Sequence, residues 1–253
     1  MPTTPHDISV SDRAQSVEGQ QGERNHLLRT IPADEYARIR PLLEPFEVRV
    51  MDIYAEPGDP IEHVHFPGRS VISLMRKTKE GALVENGTIG REGMAGLEVV
   101  QGVDWALSIT AGEVPGEALR MSARDFAALL PELPALEKML RRYNAYFLSQ
   151  VAQSLTCNSM HPVEKRCARW ILMTHDRMGG DAFQLTHEVL SQMLAVRRAG
   201  VTESAVALQR AGYIKYSRGT VRVLDRAGLE GAACECYGVV RAHRDKLLGP
   251  LDD

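Results

Sequence analysis

The chain of 253 residues is 44% hydrophobic and 25% charged, enough apolar material for one large or two ordinary packed domains, which excludes a fibre or a fully disordered chain. Its net charge of −3 excludes a wholesale cationic coat for nucleic acid but leaves room for a local basic patch. No apolar run approaches a membrane span, the opening residues with Asp7, Asp12 and Glu18 lack the apolar stretch of a secretion signal, and four scattered cysteines are too few for a disulfide framework. The expectation is a cytoplasmic protein with no membrane partner.

Residues 1–24 are polar and without an apolar period, and read as a loose tail. PADEYARIRPLLEP follows as a first helix, with acids in its opening turn and prolines near its close. From residue 46 to about 121 the texture changes to short alternating runs, FEVRVMDIY, IEHVHFP, SVISLMR, ALVENGTIG, WALSITAGEV and EALRM, divided by Gly, Pro and Asp turn signals. Strands of that length and spacing predict an antiparallel barrel of the jelly-roll kind, so 25–133 is read as a β-barrel domain.

Ser122 caps a short helix, ARDFAALL, and a long helix then occupies 134–160. Its apolar stripe at Leu136, Leu140, Tyr143, Phe147, Gln150 or Val151, and Ser154 or Leu155 has the spacing of a two-helix seam, and predicts a dimerisation helix. The same stripe is also compatible with a helix packed on its own barrel. His161-Pro162 ends it, because the residue before proline is pushed out of the α region. Residues 161–253 form a second domain, in which VEKRCARWILMTHDRM is a helix, Gly179-Gly180 a turn, and YIKYSRGTVRVLD a hairpin turning at Arg218-Gly219.

Between them lies LTHEVLSQMLAVRRAGVTESAVALQRAGYI, which reads as a short helix over 187–194, a break at Ala195 and Val196, and a second helix over 197–210. Leu190, Leu194, Val196, Val201 and Leu208 can close a small core between two steeply crossed helices, with the hairpin as a wing. Arg197 and Arg198 open the second helix, where the positive end of its dipole repels them. That placement is rational if DNA supplies the counter-charge, since arginine forks bind guanine O6 and N7 or a phosphate. Thr202 and Glu203, one turn on, are placed to read base edges, and Arg218 sits at the wing tip. Over 184–226 the cations Arg197, Arg198, Arg210, Lys215, Arg218, Arg222 and Arg226 outnumber the acids Glu188, Glu203 and Asp225, so the patch is local. Paired arginines of this kind are otherwise solvated surface charge.

Taken with these motifs, residues 25–230 resemble the Crp/Fnr family of bacterial transcription regulators, with an N-terminal cyclic-nucleotide-binding-like barrel, a long dimer helix and a C-terminal winged helix-turn-helix. The resemblance implies an α+β chain that binds double-stranded DNA as a homodimer, with RNA polymerase as a further partner and a small-molecule effector in the barrel. By that likeness Arg198 is the leading base-contacting arginine, Glu203 a second base-reading position, and Ala199 stands where many members have a glutamate, which predicts a different target sequence. Members that bind cyclic AMP hold its phosphate with a Gly-Glu segment and an arginine about ten residues later. Here Gly90, Arg91, Glu92 and Gly93 are the matching effector-binding candidates, but no arginine follows before Arg120, so cyclic AMP of the usual kind is not expected.

No cofactor or metal is assigned. Cys234 and Cys236 in ACECY, with a partner such as His243, and the alternating His63 and His65 are weak ligand sets by spacing alone, and an iron–sulfur centre needs about four thiolates. The chain has no Gly-rich phosphate loop, nucleophile elbow or zinc-protease helix, so an enzyme is not expected. The remaining alternative is a nucleotide- or protein-sensing module without DNA readout.

Overall fold

A computed structural model describes residues 23–251, so the tail expected over 1–24 lies almost wholly outside the described residues. Two short helices lead in, α1 (His26–Thr30) and α2 (Ala33–Ile39). Asn25 starts the first by accepting from the amides of Leu27 and Leu28, and its Nδ2 donates to the carbonyls of Pro67 and Gly93 at 2.9 and 2.8 Å. One side chain thus caps a helix and ties it to the barrel. The helix expected across PADEYARIRPLLEP is shorter: Pro41 enters a 3₁₀ turn over Arg40–Leu42, and Glu44, held extended by Pro45, already belongs to a strand.

The strands are β1 (Glu44–Val48), β2 (Ile53–Ala55), β3 (His63–Pro67), β4 (Val71–Lys77), β5 (Leu83–Ile89), β6 (Ile109–Val114) and β7 (Gly116–Ser122), with α3 (Leu97–Val100) between β5 and β6. They pair antiparallel in two sheets, β1-β7-β3 and β2-β6-β4-β5, the double-sheet roll that the alternating runs predict. Val48, Val64 and Phe66 from one sheet and Val71, Ile72 and Val114 from the other are fully buried in one apolar cluster. Each such side chain removed from water contributes roughly 1.5–3 kcal/mol.

Ser122 caps α4 (Ala123–Leu129), its hydroxyl accepting from the Asp125 amide. The long helix α5 (Pro134–Met160) starts on a carboxylate from another element: Glu35 accepts from the amides of Ala135 and Leu136 at 2.8 and 2.9 Å, where the helix's positive end favours an anion. The helix lies on the barrel because residue 93 is glycine, since a Cβ there would stand 2.0 Å from the Tyr143 ring. Here the seam reading needs correction. Leu136, Leu140, Tyr143, Gln150 and Ser154 are buried inside the chain, and Phe147 packs against Gly87. The stripe read from the sequence is the inner face of the helix through Ser154; Leu155, its alternative to Ser154, is exposed, as are Leu148 and Met160.

After the His161-Pro162 break come α6 (Val163–Met178), β8 (Ala182–Gln184), α7 (His187–Leu194), α8 (Arg198–Arg210), β9 (Ile214–Ser217), β10 (Thr220–Val223), α9 (Arg226–Ala232) and α10 (Cys236–Leu248). The wing is three-stranded, β8-β10-β9; β8 is too short to show as a period in the sequence. The final helix packs back along α5. Among the described residues no helix is long and apolar enough to cross a membrane.

Candidate nucleic-acid interface

Each part of the helix-turn-helix has a local cause. Thr186 caps α7 by accepting from the Val189 amide at 3.2 Å. The helix then ends on Ala195, which takes the left-handed conformation at φ 50°, where glycine is the usual residue. Leu190, Leu194, Val201 and Leu208 are fully buried between α7 and α8, together with Ile171 and Leu172 of α6. Ser204, which stands where an apolar residue would serve the core, is buried with its hydroxyl donated to the Gly200 carbonyl at 2.9 Å. The hydroxyl is therefore satisfied within its own helix.

The other face of α8 is open. Arg197 is the residue that caps the helix, in extended conformation and without a side-chain hydrogen bond to the first-turn amides, and Arg198 is the first helical residue. Arg197, Arg198, Ala199, Thr202 and Glu203 line the outer side of the first two turns, and all five are exposed there. Among the described residues neither arginine forms an ion pair. Thr202 is partly engaged: its hydroxyl lies 3.0 Å from the Arg198 carbonyl and 3.1 Å from His187 Nδ1. Burial and the nearby Arg198 charge lower the His187 pKa, which favours the neutral ring, and the ring packs at 4.5 Å against Tyr216 of β9. Tyr216 in turn donates its hydroxyl to the Leu185 carbonyl and its amide to Gln209 Oε1, which fixes the wing to both helices. Arg218 and Gly219, with φ of 49° and 77°, form the two-residue turn at the wing tip, and the Arg218 side chain is exposed.

The candidate effector residues sit in a different setting. Gly90, Arg91, Glu92 and Gly93 follow β5, and there Arg177 of α6 enters the barrel loop. Its guanidinium donates to both Glu92 carboxylate oxygens at 2.6–3.1 Å, to Thr88 Oγ1 at 2.7 Å and to Gln150 Oε1 at 2.9 Å. Both partners are buried, at 3% and 1% side-chain exposure. Burial opposes the Glu92 charge, but Arg177 overrides it and holds the carboxyl below the usual range. A Cβ at Gly90 would stand 2.3 Å from Arg177 Cδ, so glycine is what admits the arginine. Arg91 donates to the Asp176 carbonyl at 3.1 Å and lines a cleft of about 470 Å³ with His175, Arg226, Arg241 and Arg244.

His63 and His65 do share a face, with ring centroids 6.3 Å apart, and line a cleft of about 220 Å³ beside Arg120. Burial, then His63 and Arg120, push the His65 pKa down to about 3. Arg120 is committed to Glu44 at 2.7 Å and to the face of Phe46.

With this geometry in place, residues 165–232 match the family model of the Crp-like helix-turn-helix domain. The chain is similar in structure to a CRP-family transcriptional regulator from Thermus thermophilus, at 18% identity, covering 76% of this chain and 99% of that one with a TM-score of 0.61. It is also similar to FixK2 from Bradyrhizobium japonicum, at 11% identity, 76% and 98% coverage and a TM-score of 0.63. A third is the c-di-GMP responsive global regulator CLP of Xanthomonas campestris, at 15% identity, 76% and 99% coverage and a TM-score of 0.57. At such identities the likeness is one of fold. No curated protein sequence matches the chain.

Proposed function

We propose that this chain, which has the fold of Crp/Fnr-type transcriptional regulators and carries a Crp-like helix-turn-helix domain, is a sequence-specific DNA-binding regulator acting as a homodimer on a near-palindromic site. The observation that supports it most is the opening of α8: two adjacent arginines, without an ion pair among the described residues, at an uncapped helix N-terminus beside an exposed wing-tip arginine. In isolation that arrangement is unfavourable, and a major groove with its flanking phosphates relieves it. Arg198, Thr202 and Glu203 face base edges, Glu203 by accepting from cytosine N4, while Arg218 grips the phosphate backbone and Arg197 contacts base or backbone. From its site the regulator acts on RNA polymerase. Its gating runs through the loop at 90–93: Glu92 holds Arg177 in the space that Gly90 leaves, and an effector at Arg91 in the adjoining cleft acts on α6 through Asp176.

The test is selection from random-sequence duplexes with the purified protein, followed by mobility shift at several salt concentrations. Expected is an inverted repeat with half-sites one helical turn apart, about 10–10.5 base pairs centre to centre, bound more weakly as salt rises. Selected pools indistinguishable from the input would instead favour a sensing module without DNA readout.

A further inference from the structure

The fold brings together four side chains from two stretches of sequence that lie 73 residues apart or more, the end of α5 and the start of α10. Cys157 lies in the last turn of α5, His161 directly follows that helix, and Cys234 and Cys236 bracket the turn into α10. Their Sγ and ring nitrogen atoms all lie within 4.8 Å of one another. Cys157 Sγ is 3.4 Å from Cys234 Sγ, and Cys236 Sγ is 3.5 Å from His161 Nδ1. Ligands at the corners of a zinc tetrahedron, with Zn–S of about 2.3 Å and Zn–N of about 2.0–2.1 Å, stand roughly 3.5–3.8 Å apart. The sulfur separation is far beyond the ~2.05 Å of a disulfide, and a disulfide would leave one thiol and the histidine unexplained.

The surroundings carry the same chemistry. The three cysteines are buried, at 0%, 4% and 0% exposure for Cys157, Cys234 and Cys236. His161 Nε2 meets Glu235 Oε1 at 3.1 Å, the carboxylate–histidine arrangement that orients a ligating ring and leaves Nδ1 to bind. Gln153 donates to Cys236 Sγ at 3.0 Å. Beneath the cluster, Arg169 of α6 is fully buried, with Nε and Nη1 lacking a hydrogen-bond partner among the described residues and Nη2 engaged on Ser154 Oγ. A buried guanidinium keeps its charge and needs a counter-charge nearby. Three thiolates around a divalent ion leave a net charge of about −1, which supplies that counter-charge to Arg169.

We propose that Cys157, His161, Cys234 and Cys236 form a Cys₃His site for a thiophilic divalent cation of the zinc class, which clamps the last helix to the hinge between α5 and the helix-turn-helix domain. His161, not His243, completes the set; His243 is engaged by Ser149 Oγ at 2.6 Å. All four coordination positions come from the protein, so the site is closed and structural, and ion binding releases the thiol protons to solvent. The site is independent of whether the chain reads DNA.

The experiment is anaerobic titration of cobalt(II) into the reduced, metal-free full-length protein, followed by optical absorption. Expected are tetrahedral d–d bands and a thiolate-to-cobalt charge-transfer band that saturate at one equivalent and are abolished by one equivalent of zinc(II). Cys236→Ser should lose charge-transfer intensity, Glu235→Gln should weaken zinc binding by about 10–100-fold, and Cys167→Ser, a buried thiol outside the cluster, should leave the spectrum unchanged. No saturation at one equivalent in the wild-type protein, which needs no variant to fold, overturns the site. So does an undiminished charge-transfer band in a folded Cys236→Ser protein.

Discussion

At the scale of single residues, the buried Glu92–Arg177 pair carries the largest local electrostatic stake. A buried ion pair adds little over well-packed apolar residues, but removing one partner strands the other charge. Glu92→Gln should therefore cost about 3–5 kcal/mol in denaturant unfolding, and the double replacement Glu92→Leu with Arg177→Met should recover most of that loss. Equal losses in the single and double variants would contradict the argument. A second pair behaves differently. Ser73 Oγ lies 2.6 Å from Glu85 Oε2 and 2.9 Å from Glu113 Oε2, yet one hydroxyl has one proton to give. The second contact is a hydrogen bond only if a carboxyl keeps its own proton. Burial raises both pKa values, and Glu113 raises that of Glu85 further. The stability this pair contributes is fully present below the unfolded carboxyl value of about 4.3 and is lost as pH rises through the raised folded values. Glu113→Gln, whose amide supplies the donor at every pH, should make melting temperature less dependent on pH above the unfolded carboxyl value of about 4.3. An unaltered pH profile would count against a retained proton.

Among elements, α5 shows why an apolar stripe does not name its partner. Leu136, Leu140 and Tyr143 are fully buried against the chain's own barrel and lead-in helices, whereas Leu148 and Leu155, at 68% and 71% exposure, continue a separate row with Arg141, Ala145, Ala152 and Ser159 at spacings of three and four. That second row has the 3.5-residue period of a helix seam. If the homodimer forms along it, Leu148→Asp with Leu155→Asp should yield folded monomers by light scattering, with weaker operator binding because the two half-sites are no longer linked. Leu140→Asp should instead unfold the protein, since it buries an unpaired charge. Dimers that persist in the Leu148/Leu155 variant at micromolar concentration would move the interface elsewhere. Both rows are present in the sequence; only the packing of the barrel, permitted by Gly87 and Gly93, decided which one faces inward.

For the whole molecule, the division of labour between helix and wing follows from position. In the proposed complex the first turn of α8 addresses the groove floor, and the turn at Arg218 lies along the backbone. Arg198→Ala should cost roughly 1–3 kcal/mol on the selected site and relax preference at one base pair per half-site. Arg218→Ala should weaken all sequences about equally and flatten the salt dependence by about one unit of slope for each phosphate it no longer neutralises. Titrations on the selected site and its single-base variants, at several salt concentrations, separate the two; unchanged specificity in a folded Arg198→Ala protein sinks the base-reading role.

The sequence by itself determined what short-range chemistry determines. Alternation marked the barrel strands, His161-Pro162 marked the hinge, Thr186 and the Arg218-Gly219 turn bounded the helix-turn-helix and its wing, and the outward placement of Arg198, Thr202 and Glu203 follows from the period of α8. These signals lie within one or two turns of chain, where caps, turns and helical period act. What only the tertiary structure decided depends on residues far apart in sequence. Glu92 reads as part of a ligand loop until Arg177, 85 residues away, occupies it, and Cys157 and His161 read as the end of a helix until Cys234 and Cys236 arrive at 3.4 and 3.5 Å. A local pattern fixes a side chain's direction relative to its own element. Which buried charge or thiol it meets is set by how the elements pack, and a carboxylate or a sulfur has the same spacing in the sequence whether its partner is a ligand, an arginine or an ion.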